Sequence, residues 1–98
     1  MRLLIVGPLG GQISAATKIA MGLGAKVAHV DTIEQATGAL RAGRGADLLM
    51  VDARLDIAAL IAANEAEHIV VPIVAAGVGI DPMVAAKSIR AGAREYIS

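Results

Sequence analysis

The amino-acid sequence predicts an α/β fold, a doubly wound parallel sheet of five strands with helices on both faces. Three observations predict it: short apolar runs, helical patterns between these runs, and helix-capping residues at the junctions. The predicted strands are 2–6, 26–30, 47–51, 69–76 and 94–97. Because parallel strands are joined by right-handed crossovers, a chain that alternates strand and helix forms a doubly wound sheet.

The first and third predicted strands contain continuous apolar stretches, LLIV at 3–6 and LLMV at 48–51. Strands that read this way are typical of parallel sheets covered on both faces. The first predicted helix, 12–23, follows the first strand and ends at Gly24. Its inward stripe is expected to consist of Ile13, Ala16, Ala20 and Leu23.

Capping residues predict the starts of the other three helices. A capping box at 32–35 begins the second helix, which ends near Gly43. Asp56 caps the third helix, and the pair at 81–82 gives an N-cap aspartate followed by a proline at the first helical position. Gly92 ends the fourth helix. The inward apolar residues of the second and third helices are expected to be Ala36, Leu40, Ile57, Leu60 and Ile61.

Composition indicates one domain spanning residues 1–98. Of the 98 residues, 56% are hydrophobic and 18% are charged, which is typical of a globular domain, and Tyr96 is the only aromatic residue. The chain has no cysteine, which excludes thiolate metal sites and fits a reducing compartment. Nine basic and nine acidic residues balance, so the charge favours neither nucleic acid nor an anionic membrane as a partner. We expect a cytoplasmic domain with no membrane segment.

The glycine-rich stretch GPLGG at 7–11 lies between a strand and a helix, where α/β proteins bind phosphate. Its glycine spacing differs from the dinucleotide pattern, and no Lys-Ser or Lys-Thr pair follows. Asp31 directly follows the second strand, about 20 residues further on, where dinucleotide folds place a ribose-binding acid. Helix capping also explains Asp31. A nucleotide- or phosphate-binding domain is therefore kept as an alternative.

Four segments together resemble a bacterial response-regulator receiver domain. They are LLIVG (3–7), GADLLMVDA (45–53), VPIVAAG (71–77) and AAKSIRAGAREYI (85–97). The resemblance implies the strand order 2-1-3-4-5 and places Asp52 at the aspartate that accepts phosphate. It also places Tyr96 at the aromatic position that swings inward on phosphorylation. With a glycine at position 77, we expect a packed Tyr96 ring with its hydroxyl at the surface.

The departures from the receiver pattern lie at the acidic pocket. The acid pair of receivers follows the first strand, where this sequence has Gly7 and Pro8. The hydroxyl residue after the fourth strand corresponds to Gly77, and the family's lysine would fall beyond Ser98. Because Mg²⁺ binding near phosphate usually uses more than one carboxylate, we expect no metal and no cofactor. Asp52 is then a vestigial phosphoacceptor, expected at the wet edge of the sheet.

Other polar residues are candidates for weaker roles. Lys87 and Arg90, three positions apart on the fourth helix, and Arg94 form a candidate partner face, with a solvated face as the alternative. In receivers this surface docks partners or a second subunit. His29 and His68 have no second metal ligand at a suitable spacing, so we expect surface or capping histidines.

The resemblance implies a regulatory function rather than an enzyme. It indicates an atypical, phosphorylation-independent receiver domain that regulates an NtrC-type sigma-54 activator of flagellar genes. The expected partner is a regulatory protein of the FliX type, with a homodimer as a second expectation and DNA contacted only through other domains. Two alternatives remain open: a nucleotide- or phosphate-binding domain using residues 7–11, and the pseudo-receiver of a pilus-assembly ATPase.

The predicted final helix of a five-strand doubly wound fold is absent from this chain, which ends at the fifth strand. The first and fifth helices of that fold share one face of the sheet. We therefore expect an open apolar face built by Leu4, Val6 and Ile97 beside the first helix. Contiguous apolar patches that stay exposed on a sheet are typical of interaction sites. Self-association or binding of a partner helix is expected for the isolated chain, unless residues beyond Ser98 cover this face.

Overall fold

The computed structural model describes residues 1–43, 45–77 and 81–97 and has the predicted α/β architecture. The strands in this part of the chain are β1 (Arg2–Val6), β2 (Lys26–Val30), β3 (Leu48–Asp52), β4 (Ile73–Ala76) and β5 (Glu95–Ile97). The α-helices in the same residues are α1 (Ile13–Gly22), α2 (Ile33–Arg41), α3 (Ile57–Ala66) and α4 (Pro82–Ala91), and a 3₁₀ turn spans Leu9–Gly11. The sheet order is β2-β1-β3-β4-β5 with every pair parallel, which confirms the predicted fold class and strand order.

The predicted capping residues start and end the helices as expected. Thr32 Oγ1 accepts the N–H of Gln35 at 3.1 Å, at the start of α2. Asp56 and Asp81 likewise accept N–H groups in the first turns of α3 and α4, each at 3.0 Å. Gly92 ends α4 with φ of 119°, a conformation that favours glycine. No helix in the described residues is long and apolar enough to cross a membrane.

Two predicted boundaries differ from the structure. The fourth strand begins at Ile73 and not at residue 69. The N–H of Ile69 instead donates to the carbonyl of Asn64 at 2.8 Å, which closes the end of α3. Leu23, expected to face the sheet, is 84% exposed. Its backbone caps the end of α1 and no longer continues the helical stripe.

The two faces of the sheet are packed to different extents. One face holds the larger apolar cluster, to which β1, β3 and β4 contribute, and α2 and α3 cover it. Of the inward residues predicted for these helices, Ala36, Leu40, Ile57 and Leu60 are buried, and Ile61 packs against them partly buried. The opposite face holds a smaller cluster that packs against α1. None of the residues of α1 is fully buried, so this second layer is thin.

The residues of β1 lie on the opposite faces from those expected. The sequence assigns Leu4 and Val6 to the open face beside α1, but both lie in the larger cluster under α2 and α3. Leu3 and Ile5 face α1 instead. Successive side chains of a strand point to opposite faces, so a shift of one residue reverses the assignment. The assignment of Leu4 and Val6 to the open face is therefore wrong.

An apolar groove of about 550 Å³ lies on the α1 face, at the position where the sheet is expected to be uncovered. We call it the α1 groove. Its floor comes from the sheet and one wall from α1, and its lining includes Leu3, Leu48, Met50, Ile97, Ile19 and Leu23. Ile97 therefore lies in the face to which the sequence assigned it. The open side of the sheet is apolar, as predicted, although other residues of β1 form it.

Candidate functional site

Asp52 is the last residue of β3 and lies at the carboxyl edge of the parallel sheet. Ligands of doubly wound folds bind at this edge. The side chain is nevertheless closed off from solvent, because the residue is only 1% exposed. The expectation that Asp52 would lie at a wet edge is wrong. The loop between β1 and α1 folds over the carboxylate.

Two backbone N–H groups occupy the two carboxylate oxygens. The N–H of Leu9 donates to Oδ2 of Asp52 at 3.0 Å, and the N–H of Arg54 donates to Oδ1 at 3.0 Å. Leu9 has φ of 50°, a left-handed conformation that is uncommon for a residue other than glycine. The side chain of Leu9 is buried at 5% exposure. Burial of Leu9 and its bond to the carboxylate offset the cost of this backbone conformation.

The side chain of Arg54 brings a positive charge to the same carboxylate. Its Nε lies 3.4 Å from Oδ1 of Asp52, and its Nη2 lies 3.4 Å from Oδ2. The arginine side chain is 67% exposed, so it reaches the buried acid from the solvent side. Isolated buried charges are unfavourable, and an arginine fork matches the two oxygens of a carboxylate. Sequence reasoning missed Arg54, although a basic residue two positions after a candidate acid was visible.

Gly7 leaves no room for a side chain at the position of the receiver acids. Its φ is 98°, and a Cβ atom there would lie 2.7 Å from Cβ of Asp52 and 2.8 Å from Cδ1 of Leu55. Pro8, the other position assigned to the acid pair, is exposed. The glycine backbone is thus packed directly on the aspartate. The sequence already showed that the receiver acids are replaced by Gly7 and Pro8. The structure adds that the Gly7 backbone packs closely on Asp52.

The two histidines have different positions. Nε2 of His29 lies 3.0 Å from the carbonyl of Gly7 and 3.6 Å from Oδ1 of Asp31, so this side chain ties the β1–α1 loop to β2. The N–H of Gly7 also donates to the carbonyl of Val30 at 2.8 Å. His68 lies in the turn after α3. His29 is therefore a loop-anchoring residue, which the sequence did not indicate.

The glycine-rich loop uses its N–H groups internally. The N–H of Leu9 meets Asp52, that of Gly11 meets the carbonyl of Pro8 at 3.0 Å, and that of Gln12 meets the carbonyl of Leu9 at 3.1 Å. A phosphate-binding loop needs such groups pointing at the ligand. This geometry counts against the nucleotide alternative.

Tyr96 lies against Gly77, and its ring is half-buried. A Cβ atom at position 77 would overlap the Tyr96 hydroxyl and lie 3.1 Å from Cζ. Tyr96 is thus packed against Gly77, and the expectation that its hydroxyl lies at the surface stays a prediction. Because residue 77 has no side chain, the phenol extends over it. The two positions that the resemblance singled out are thus in direct contact.

Gly77→Ala is expected to move the Tyr96 ring, because the new methyl group and the phenol hydroxyl would occupy the same space. The end of a tyrosine side chain can move, so we expect a change in stability of less than about 1 kcal/mol. Tyr96 is the only tyrosine, so its ring resonances in an NMR spectrum report the movement alone. Gly38→Ala in α2 is the control, because a Cβ atom there meets nothing within 4 Å. Unchanged ring resonances in Gly77→Ala would contradict this contact.

The basic residues of the predicted partner face are exposed. Lys87 and Arg90 lie on α4, and Arg94 precedes β5, where its N–H donates to the carbonyl of Ile73 at 2.8 Å. Lys87 and Arg54 also line one cleft of about 290 Å³ between α4 and the turn after β3. The structure therefore places Lys87, one residue of the predicted partner face, near Arg54, the cation that contacts Asp52.

The strand order and the aspartate at the end of β3 define a domain with the response-regulator receiver fold. NtrX from Brucella abortus superposes with a TM-score of 0.81 at 23% identity, over 98% of this chain and 22% of that one. The receiver domain of the sensor histidine kinase PA1611 from Pseudomonas aeruginosa, which has a magnesium ion in its active-site cleft, gives 0.78 at 22% identity. That match covers 99% of this chain and 83% of the other. No protein-family model matches the sequence.

The sequence itself is similar to a particular regulator. It is 69% identical over 97 residues to the transcriptional regulatory protein FlbD of Caulobacter vibrioides. The match covers 99% of this chain and 21% of FlbD, so the chain spans about a fifth of this relative. The resemblance to receiver domains that the sequence motifs indicated is confirmed.

Proposed function

We propose that this chain is the regulatory domain of a FlbD-like activator of flagellar genes that works with sigma-54 RNA polymerase. In this proposal the domain acts through protein contact and not through phosphorylation of Asp52. The observation that carries it is the closed site: Asp52 is 1% exposed and its oxygens are held by Leu9 and Arg54. An acceptor of phosphate would need a free oxygen facing solvent.

The residues present do not fit the magnesium ion that receiver chemistry implies. Magnesium requires near-octahedral oxygen ligands, usually with carboxylates near the phosphate. Gly7 and Pro8 stand where the resemblance places two acids, and the Asp52 carboxylate already has an arginine counter-ion. Without a metal ion the transfer of a phosphoryl group to Asp52 would lack its main electrostatic assistance. This supports a function that is independent of phosphorylation.

The position of Tyr96 supports the same conclusion. The resemblance associates an inward aromatic ring with the phosphorylated form of receivers. Here the ring lies over Gly77 with no phosphate required, because the glycine leaves that space open.

The partner in this proposal is a regulatory protein of the FliX type, which docks on the face formed by Lys87, Arg90 and Arg94. These three side chains are exposed and carry one sign of charge, so an acidic surface on the partner would complement them. Contact between two copies of the domain is the competing mode. DNA would be contacted by other parts of the regulator.

Two other functions receive less support. A pilus-assembly ATPase with a pseudo-receiver is disfavoured because the chain is 69% identical to FlbD. Nucleotide binding at residues 7–11 is disfavoured because the N–H groups of Leu9, Gly11 and Gln12 are already bonded within the protein.

The proposal is tested in the complete regulator with a reporter for a sigma-54-dependent flagellar promoter. Asp52→Asn is expected to retain most of the activation. The double substitution Lys87→Glu and Arg90→Glu is expected to weaken binding of the purified FliX-type partner and to lower activation, because it reverses the charge of the face. Lys18→Glu on α1 is the control for a charge reversal elsewhere on the surface, since Lys18 is also exposed but lies on the other side of the sheet.

Two outcomes would contradict the proposal. Loss of activation in Asp52→Asn with normal protein levels would show that the acid has a signalling role. Partner binding that is lowered equally by Lys18→Glu and by the double substitution would show that the α4 face is not the docking site.

A further inference from the structure

We propose that Arg54 is the resident counter-ion of Asp52, and that the two residues form a latch which holds the β1–α1 loop closed and keeps Leu9 in the smaller apolar cluster. In this proposal Asp52 is a positioning residue that acts through Leu9. The inference rests on the proposed function only in taking Asp52 to be unphosphorylated. It does not depend on which partner binds the domain.

The burial of the Asp52 carboxylate calls for a permanent counter-ion. A carboxylate that is only 1% exposed needs compensation for the water it has lost. Two backbone N–H groups supply part of it, and the guanidinium of Arg54 supplies the opposite charge with one nitrogen 3.4 Å from each oxygen. A cation covalently attached two residues after the acid is present at all times.

The β1–α1 loop is held at both of its ends. The Gly7 end of the loop is fixed to β2 by its bonds to Val30 and His29. The Leu9 end is fixed to β3 by the bond from the Leu9 N–H to Asp52. The left-handed backbone of Leu9, with φ of 50°, is unfavourable on its own. The bond to Asp52 therefore selects this closed conformation.

Leu9 links the loop to the groove. Its side chain belongs to the smaller apolar cluster, together with Leu3 and Ile5, and it lines the α1 groove beside Met50. One residue thus carries the N–H that meets Asp52 and a side chain that forms part of the groove. Release of the N–H would free the side chain as well. Leu9 in this way couples Asp52, at the carboxyl edge of the sheet, to the apolar cluster under α1.

Hydrogen–deuterium exchange in the intact regulator tests the latch. Asp52→Ala is expected to raise the exchange rate of the Leu9 amide by about tenfold or more, because a buried hydrogen bond is lost. Asp52→Asn is expected to raise it less, since its one amide oxygen accepts the Leu9 N–H when it takes the place of Oδ2, which leaves the Arg54 N–H without its acceptor. Arg54→Ala should raise it in the otherwise unsubstituted protein. The same Arg54→Ala change should have little further effect when combined with Asp52→Asn, where there is no negative charge to compensate. Arg54→Lys should restore most of the protection.

Methionine methyl NMR reports the packing around the Leu9 side chain, because Met50 packs against the same apolar cluster. The Met50 methyl signal is expected to shift in Asp52→Ala, whereas Met83, exposed on α4, is the internal control and should not shift. Exchange of β4 amides shows whether each variant is folded. If Asp52→Ala unfolds the domain, Asp52→Asn and Arg54→Ala still complete the comparison.

Three results would overturn the inference. Unchanged Leu9 exchange in a folded Asp52→Ala protein would show that the carboxylate does not hold the loop. Equal effects of Arg54→Ala with and without Asp52→Asn would show that the arginine is not its counter-ion. A saturable effect of MgCl₂ alone on Leu9 exchange in the unsubstituted protein would show that the site binds metal instead. Each of these results leaves the docking of a FliX-type partner on α4 to its own test, so the two proposals fail separately.

Discussion

Gly7→Ala is expected to destabilise the protein by about 3 kcal/mol or more, because two unfavourable effects combine at this position. The backbone at Gly7 has φ of 98°, which an alanine rarely adopts. The added Cβ would also lie 2.7 Å from Cβ of Asp52, a distance that forces the loop or β3 to shift. The free energy of unfolding, measured by denaturant titration, gives the size of the effect.

Gly11→Ala separates the two effects. Gly11 has φ of 85°, but a Cβ atom there meets nothing within 4 Å. Only the conformational cost applies, so we expect a loss of about 1 kcal/mol. Equal losses for the two substitutions would show that the glycine backbone does not pack on Asp52.

Leu49→Ala is expected to lower the free energy of unfolding by about 3 kcal/mol, and Leu48→Ala by less than about 1 kcal/mol. These neighbours on β3 point to opposite faces of the sheet. Leu49 is fully buried in the larger cluster, whereas Leu48 is partly exposed and lines the α1 groove. Truncating Leu49 leaves a cavity, while truncating Leu48 widens a groove that is already open.

The matched pair tests the two-sided packing of the sheet. Both substitutions remove the same atoms, so the difference between them reports the local packing alone. Similar losses at the two positions would mean that the α1 face is as closely packed in solution as the opposite face. That result would indicate that another element covers the groove.

Local chemistry made most of the fold predictable from the sequence. Thr32, Asp56 and Asp81 each accept the N–H groups that the capping patterns predicted, and Gly92 ends α4. Such signals are local, because a cap depends on a few neighbouring residues. The predicted start of β4 is wrong because 69–72 is apolar, yet these residues close the end of α3 and lead into the strand.

The assignment of residues to the faces of the sheet was less predictable. A strand that is apolar throughout gives no alternation from which to decide which residues point to which helix. The sequence therefore assigned Leu4 and Val6 to the α1 face, although they lie under α2 and α3. Leu3 and Ile5, which do face α1, were not assigned to it. The apolar character of this face was predictable, because β1 and β3 are apolar throughout.

The position of the candidate site was predictable from the sequence, but the burial of Asp52 and its contacts were not. Asp52 at the end of a strand, with glycine and proline at the acid positions, was evident from the motifs. The burial of Asp52 depends on the left-handed backbone of Leu9 and on the reach of the Arg54 side chain. Neither has a sequence pattern. The contact of Tyr96 with Gly77 likewise depends on residues that only the fold brings together.

Whether Asp52 is closed to phosphate and metal is decided by the amide NMR spectrum in the presence of a phosphoryl donor or its mimic. Acetyl phosphate, or beryllofluoride, is added together with Mg²⁺ to the unsubstituted protein. Because Asp52 is enclosed by Leu9 and Arg54, and because glycine and proline stand at positions 7 and 8, the amide signals are expected to stay unchanged. Saturable shifts centred on Asp52 and Leu9 would contradict this enclosure, since they would show that the carboxylate is open to phosphate and metal.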